Sequence, residues 1–168
     1  MEKAEGDIMK RKPRNSSDGI FANGAGFDMV WQGIYLALIE FAAYFIGYHL
    51  EVGSFAGVFH GDICTNAMAM AFLTVNFAEM MCAMNMRSRQ GSIFSKDMLQ
   101  NINWWLVGAM FVTLLLTLGA IYIPGLQTVF DITPGTFSGK ELLISVGLAL
   151  STLPAFEIGK AIRRAGEK

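Results

Sequence analysis

Hydrophobic residues fall into four long runs along the chain, separated by shorter polar stretches. The runs occupy approximately residues 28–48, 66–86, 104–123 and 142–162. A helix needs about 20 consecutive apolar residues to cross a hydrocarbon core of about 30 Å. Helices are expected because runs of this length satisfy their backbone internally, and the alternating pattern of a membrane β-barrel is missing. The pattern predicts an all-α membrane protein with four transmembrane helices.

The distribution of Lys and Arg predicts the orientation of these helices. Five basic residues precede the first run, and the three connections that follow hold none, three and one; four more lie at or beyond the end of the fourth run. Basic residues are enriched in cytoplasmic segments. We therefore expect both termini in the cytoplasm, with residues 1–27 as a basic leader, residues 28–164 as the transmembrane domain and residues 165–168 as a short tail.

Composition supports a membrane protein and excludes some other classes. Apolar residues make up 53% of the chain and charged residues 16%, with a mean hydropathy of +0.41, whereas a soluble domain carries about 25% charged residues. The net charge of −1 gives no field that would attract nucleic acid. Cys64 and Cys82 have no metal-binding or redox spacing, so no disulfide framework is expected. The expected partner at this level is the lipid bilayer.

The fourth run has two features that predict its packing. Pro154 has no N–H to donate to the Leu150 carbonyl, so the helix is expected to be interrupted or kinked there. Small residues at regular spacing let a neighbouring helix approach closely. In this run they recur every four residues, at Gly147, Ser151, Ala155 and Gly159.

Three glutamates lie inside the runs, at Glu40, Glu79 and Glu157. An ionised side chain at the centre of a bilayer costs about 2.5–3.5 kcal/mol on insertion scales, so each needs an explanation. Lys160 follows Glu157 by three residues, which predicts a structural ion pair. Glu40 has no polar neighbour one turn away, and a hydrogen-bonded packing role is favoured for it.

Glu79 leaves two interpretations open. Asn76 lies one turn earlier, so the two side chains present several oxygens to one neighbouring helix. Glu79 is either a protonated group that donates one interhelical hydrogen bond or an oxygen ligand for a cation crossing the membrane. Ca²⁺ takes about six to eight oxygens. If Glu79 binds this ion, most of the site must come from other residues.

Polar residues around the first connection are a possible metal site of another kind. His49, Glu51, His60 and Asp62 flank this connection. Solvated polar residues are far commoner in such loops than metal ligands, so the metal interpretation is not favoured.

Several stretches resemble the calcium-pumping P-type ATPases of the type II group. The stretch "DIMKRKPR" (7–14) resembles the loop ahead of that family's seventh membrane helix. The stretch "MAFLTVNFAEMMCAMNMRSRQGSIF" (70–94) resembles its eighth helix. The beginning of the ninth helix is similar to "NINWWLVGA" (101–109), and the end of the tenth to "LPAFEIGKAIRR" (153–164). These stretches follow one another in the family's order and spacing over nearly the whole chain.

The resemblance implies a role for Glu79. It stands where the eighth helix of the animal calcium pumps supplies a glutamate to an ion site, which favours Glu79 as a Ca²⁺ ligand. Asn76 is kept as a second candidate, although it matches no ligand of the family. Glu40 departs from the family pattern, because the seventh helix contributes no ion-binding carboxylate. No catalytic or cofactor-binding residue is expected in this chain.

The resemblance also implies what surrounds the chain. The 168 residues contain no Asp-Lys-Thr-Gly phosphorylation motif, and the family's nucleotide-binding domain, actuator domain and fourth to sixth helices have no counterpart. Met1 matches an internal methionine of the family. We therefore expect a C-terminal fragment of an ATP-driven pump in a bacterial inner or plasma membrane, with Ca²⁺ as its favoured ion. ATP and Mg²⁺ would act through domains outside this chain, which would not pump by itself.

A second interpretation belongs to another class. The chain could be a freestanding four-helix membrane protein that binds or modulates a larger membrane partner. A small ion channel ranks last, because the third run offers only Thr113 and Thr117 as polar pore-lining candidates.

Overall fold

The computed structural model describes residues 13, 17, 19, 21, 24–59, 64–87, 102–129, 132 and 137–166. Regular structure in this part of the chain is helical. The helices are α1 (Ala25–Val52), α2 (Thr65–Asn85), α3 (Trp104–Tyr122), α4 (Pro124–Val129), α5 (Gly139–Leu150) and α6 (Thr152–Gly166).

Four stretches of the described residues are long and apolar enough to cross a membrane. They are Ala25–Val52, Thr65–Asn85, Trp104–Tyr122 and Gly139–Ala165. The prediction of an all-α protein with four candidate spans is therefore confirmed. The side of the membrane that each terminus faces stays a prediction, and most of the basic leader lies outside the described residues.

The helix ends follow local signals in the sequence. Gly53 ends α1 in a left-handed conformation, with φ at +75°, which glycine adopts without strain. Asn103 begins α3, and its side chain accepts two backbone N–H groups of the first turn. Ser138 and Glu141 form a capping box at the start of α5, in which the Ser138 N–H donates to the Glu141 carboxylate at 2.6 Å. Each contact satisfies a backbone group that would otherwise lack a partner.

The fourth span is divided into α5 and α6 at Ser151. Pro154 falls in the first turn of α6, where a missing N–H is tolerated. Hydroxyl groups satisfy carbonyls beside the break: the Ser151 hydroxyl donates to the Leu148 carbonyl at 2.5 Å, and the Thr152 hydroxyl donates to the Ala149 carbonyl at 2.7 Å. The interruption predicted from Pro154 is thus present, three residues before the proline.

Helix α2 lies at the centre of the bundle. In the most apolar 18-residue stretch of α2, 44% of the residues are buried inside the chain. The corresponding share in the other three spans is 11–22%. It packs mainly against α1 and α5, and α3 covers it more sparsely. The core around it contains Ile39, Ala69, Leu73, Phe77, Ala78, Ile121, Ile132 and Ala149.

Helices α1 and α2 approach each other closely at Gly47. A Cβ atom at this position would lie 2.7 Å from the Ala67 Cα atom, so the two backbones are in direct contact. Tyr48, Cys64 and Ala67 form a second buried cluster beside it. Because Glu51, near the end of α1, contacts Asn66, near the start of α2, the two helices run antiparallel.

Most of the small-residue stripe in the fourth span faces α1. The Tyr35 hydroxyl lies 2.8 Å from the Ser151 hydroxyl and 3.2 Å from the Ser151 carbonyl oxygen. A Cβ atom at Gly159 would overlap the Trp31 ring. Gly147 departs from the pattern: it is exposed, and no atom lies where a side chain would extend.

Two glycines of α1 provide a test of this packing. Gly47→Ala should destabilise the bundle by about 1–3 kcal/mol, because the added methyl group forces two backbones apart. Gly33 is exposed and has open space around it, so Gly33→Ala should be neutral or slightly stabilising through its better helix propensity. Unfolding of both variants by SDS in mixed micelles, followed by circular dichroism, measures the difference. Equal stability of the two variants would contradict the close contact.

Candidate ion site

Glu79 lies on the exposed face of α2, six residues before the helix ends at Asn85. The neighbouring residues Phe77 and Ala78 are buried in the core, so the carboxylate extends away from it. Within the described residues, the Glu79 carboxylate makes no hydrogen bond and no ion pair. The carboxylate is therefore directed toward whatever covers this face of α2.

Asn76 is half-buried, and one of its two side-chain polar groups is already hydrogen-bonded. Its side-chain amide donates a hydrogen bond to the Phe72 carbonyl of the same helix at 2.7 Å. This bond leaves the side-chain oxygen as the atom that could act as a ligand. The structure thus places Glu79 and Asn76 one turn apart on α2, with the amide group of Asn76 turned back onto its own helix.

Glu40 is exposed on α1 and lies apart from Glu79. It lines a groove of about 330 Å³ with Ala37, Phe41, Tyr44 and Ala71. Since Gly47 packs on Ala67 in an antiparallel pair, Glu40 is level with residue 74 of α2. That is five residues, or about 7.5 Å along the axis, from Glu79. The two carboxylates do not form one site.

No cluster of three or more His, Cys, Asp and Glu side chains able to hold a metal occurs in the described part of the chain. His60 and Asp62, two members of the loop site that was not favoured, lie outside the described residues. A Ca²⁺ ion bound at Glu79 would need most of its oxygens from elsewhere.

The N-terminal end of α2 is capped by a side chain from another helix. One carboxylate oxygen of Glu51 accepts the Asn66 backbone N–H at 2.9 Å and the Cys64 thiol at 2.7 Å. Cys64 occupies the N-cap position but makes no side-chain cap of its own. Glu51 therefore supplies the negative group that the first turn of a helix favours. The sequence analysis placed Glu51 with the loop residues and missed this contact.

The C-terminal end of α2 contacts Lys160 of α6. The Lys160 ammonium group donates to the Asn85 carbonyl at 2.9 Å and to the Glu157 carboxylate at 3.4 Å. The Glu157–Lys160 ion pair predicted from their spacing is confirmed. The contact with Asn85 was not predicted, although a lysine that is only 7% exposed needs more than one partner.

A further ion pair joins Asp28 of α1 to Arg163 of α6. The contacts at Glu51, Lys160 and Arg163 place the N-terminal end of α1 beside the C-terminal ends of α2 and α6. Next to this pair, a cavity of about 580 Å³ opens between α1 and α6, walled by Phe27, Trp31, Ile158 and Ile162 among others.

Three candidate spans packed around a fourth, α2, which carries an exposed carboxylate, define the class of multi-span helical membrane proteins. Comparison with known proteins gives the family. Residues 1–162 match the family described as "Cation transporting ATPase, C-terminus", and the chain belongs to this family. The family resemblance found in the sequence is thereby confirmed.

Bacterial relatives share this similarity over most of the chain. A calcium-transporting ATPase of Bacillus subtilis is 33% identical over 159 residues, which is 93% of this chain and 16% of the relative. A calcium-transporting ATPase of Listeria monocytogenes is 30% identical over 163 residues, which is 97% of this chain and 17% of the relative. The chain therefore spans about one sixth of the length of these relatives.

Burial and the Glu51 contact together predict low reactivity for the Cys64 thiol. Burial, followed by the hydrogen bond to the Glu51 carboxylate, raises the pKa of Cys64 from 9.0 to about 11. A higher pKa means less thiolate, so at pH 9 alkylation by iodoacetamide should be about 50-fold slower than in the unfolded chain. Glu51→Gln should lower the pKa and speed the reaction. Mass spectrometry of the peptide containing Cys64 measures both rates, and equal rates in the folded and unfolded chains would refute the prediction.

Proposed function

We propose that this chain forms the C-terminal membrane part of an ATP-driven cation pump that transports Ca²⁺. The observation that carries the proposal is the family match over residues 1–162, together with the four candidate spans. The bacterial relatives are named as calcium-transporting ATPases, which supports Ca²⁺ as the ion. In this proposal, residues 28–164 form the transmembrane domain, and residues 1–27 and 165–168 lie in the cytoplasm of a bacterial cell.

Glu79 is the residue that we propose as an ion ligand. Its carboxylate is exposed on α2 and has no hydrogen bond or ion pair within the described residues. Leaving such a group against lipid would cost about 2.5–3.5 kcal/mol, which favours a polar partner on this face. A cation coordinated jointly with oxygens from outside this chain provides that partner. The side-chain oxygen of Asn76 is the second candidate ligand.

The remaining helices have a supporting role in this proposal. The packing of α1 and α5 on α2 holds the ion-binding helix within the membrane, and the bilayer and the rest of the pump cover the exposed faces. ATP and Mg²⁺ act through parts of the pump outside these residues. The 168 residues contain no Asp-Lys-Thr-Gly motif to accept a phosphoryl group.

A phosphorylation experiment on the purified chain tests whether ATP acts only through parts of the pump outside these residues. The 168-residue chain, given radiolabelled ATP with Mg²⁺ and Ca²⁺, should form no acid-stable phosphoenzyme, because it lacks the phosphorylation motif. The full-length Bacillus subtilis relative, treated in the same way, serves as the positive control. Acid-stable phosphate on the chain itself would show that the proposed role is wrong.

A chimera tests the ion ligand. Residues 1–162 would replace the matched segment of the Bacillus subtilis relative. Glu79→Gln in this chimera should raise the Ca²⁺ concentration for half-maximal phosphoenzyme formation by about tenfold, or about 1.4 kcal/mol of binding free energy, because a charged oxygen ligand is lost. Glu40→Gln is the matched control, since it removes an exposed carboxylate on the neighbouring helix. It should leave the Ca²⁺ dependence unchanged.

Two outcomes of the chimera experiment count against the proposal. An unaltered Ca²⁺ dependence in Glu79→Gln removes this residue from the ion site. A chimera that folds and inserts into the membrane but gives no Ca²⁺-dependent phosphoenzyme contradicts the role as part of a calcium pump. Co-purification of the intact 168-residue chain with a complete pump would then favour the alternative of a freestanding modulator.

A further inference from the structure

Both ends of α2 are bonded to charged side chains that come from other helices. At the N-terminal end, the Glu51 carboxylate of α1 accepts the Asn66 N–H at 2.9 Å. At the C-terminal end, the Lys160 ammonium group of α6 donates to the Asn85 carbonyl at 2.9 Å. We refer to these as the two end contacts of α2. They join positions 15 and 75 residues apart in the sequence.

The signs of the two charges match the electrostatics of the helix. The N-terminal end of a helix has unpaired N–H groups and a partial positive charge, and the C-terminal end has unpaired carbonyls and a partial negative charge. Glu51 is negative at the first end, and Lys160 is positive at the second. Both end contacts therefore bind α2 in its present axial position, and sliding the helix toward either end would lengthen one of them.

The sides of α2 pack on the neighbouring helices chiefly through apolar residues. Where it contacts α1, Gly47 lies against Ala67 and the Met70 sulfur atom, and Leu73 and Phe77 are buried in the core. Apolar packing between helices in lipid lacks the hydrophobic driving force that operates in water. The Ser145 hydroxyl donates to the Met70 carbonyl, in the second turn of α2, at the longer distance of 3.4 Å. The directional bonds at the two ends act together with this packing to set the axial register of α2.

We propose that Glu51 and Lys160 are positioning residues that fix the axial position of α2, and thereby set the Ca²⁺ affinity of the site at Glu79. The inference rests on the proposed ion-ligand function of Glu79. This residue lies six positions, or about 9 Å along the axis, from Asn85, and thirteen positions, or about 20 Å, from Asn66. Since Ca²⁺–oxygen distances span only about 2.3–2.6 Å, a small axial shift of the carboxylate weakens binding.

Ca²⁺ titrations of the chimera containing residues 1–162 test the affinity effect. Lys160→Met and Glu51→Ala should each raise the half-activating Ca²⁺ concentration by about fivefold and leave the maximal phosphoenzyme level unchanged. Lys160→Arg, which keeps the charge and a donor, should restore the parent value. Asp28→Asn is the matched control, because its ion pair joins α1 to α6, and it should leave the Ca²⁺ dependence unaltered.

A background mutation separates positioning from general destabilisation. In the Glu79→Gln chimera, the end-contact variants should produce no further change in Ca²⁺ activation, because the carboxylate that they position is gone. An equal fivefold rise in the half-activating Ca²⁺ concentration in the Glu79→Gln background would overturn the positioning role. Unchanged Ca²⁺ dependence of the end-contact variants in the parent chimera would also overturn it. Lys160→Gln and Glu51→Gln keep a hydrogen-bonding group without the charge. If the first variants do not fold, the same Ca²⁺ titrations are made with these two.

Hydrogen exchange of the 168-residue chain in lipid nanodiscs distinguishes failure of this inference from failure of the proposed function. Glu51→Ala should speed amide exchange at residues 65–67, and Lys160→Met should speed it at residues 84–86. If Glu79→Gln leaves Ca²⁺ activation unaltered, the ion-ligand proposal fails, and exchange alone decides whether the end contacts hold α2. Unchanged exchange in both variants would show that they do not.

Discussion

The backbone contact between Gly47 of α1 and Ala67 of α2 is the constraint on which the other contacts depend. It brings the two helix axes close enough for Glu51, one turn after Gly47, to reach the N–H of Asn66, which precedes Ala67. The same contact fixes the relative levels of the carboxylates on α1 and α2. A side chain at Gly47, or a larger one at Ala67, would separate the helices and remove the geometry that caps α2.

The length of the apolar runs was sufficient to predict the four candidate spans, and Pro154 was sufficient to predict the break in the last one. Local spacing also predicted the Glu157–Lys160 pair. The bonds from Glu51 to Asn66 and from Lys160 to Asn85 could not be predicted in this way, because each depends on which helices become neighbours. The outward direction of Glu79 was likewise hidden, since α2 is apolar on nearly all sides and its sequence does not distinguish a core face. Ser138 and Glu141 had a readable capping-box spacing that the sequence analysis did not use.

The chain divides the tasks of a membrane domain among its helices. Helix α2 combines a buried face of small and apolar residues with an exposed carboxylate, so one element joins the core to the proposed ion path. Helices α1 and α6 supply the charged groups that its ends require, and they are themselves joined by Asp28 and Arg163. The Tyr35 contact with Ser151 satisfies polar groups at the one place where the last span departs from regular helix.

The sparse burial of α3 has a consequence for the evolution of this domain. Only 17% of its most apolar window is buried inside the chain, and Trp104 and Trp105 are among its most exposed residues. Contacts within this chain require an apolar side chain at such positions but no particular shape. Steric and hydrogen-bonding requirements are concentrated instead at a few positions such as Gly47, Glu51 and Lys160. A few such requirements leave most positions of the spans open to substitution, which is compatible with the 33% identity shared with the Bacillus subtilis relative.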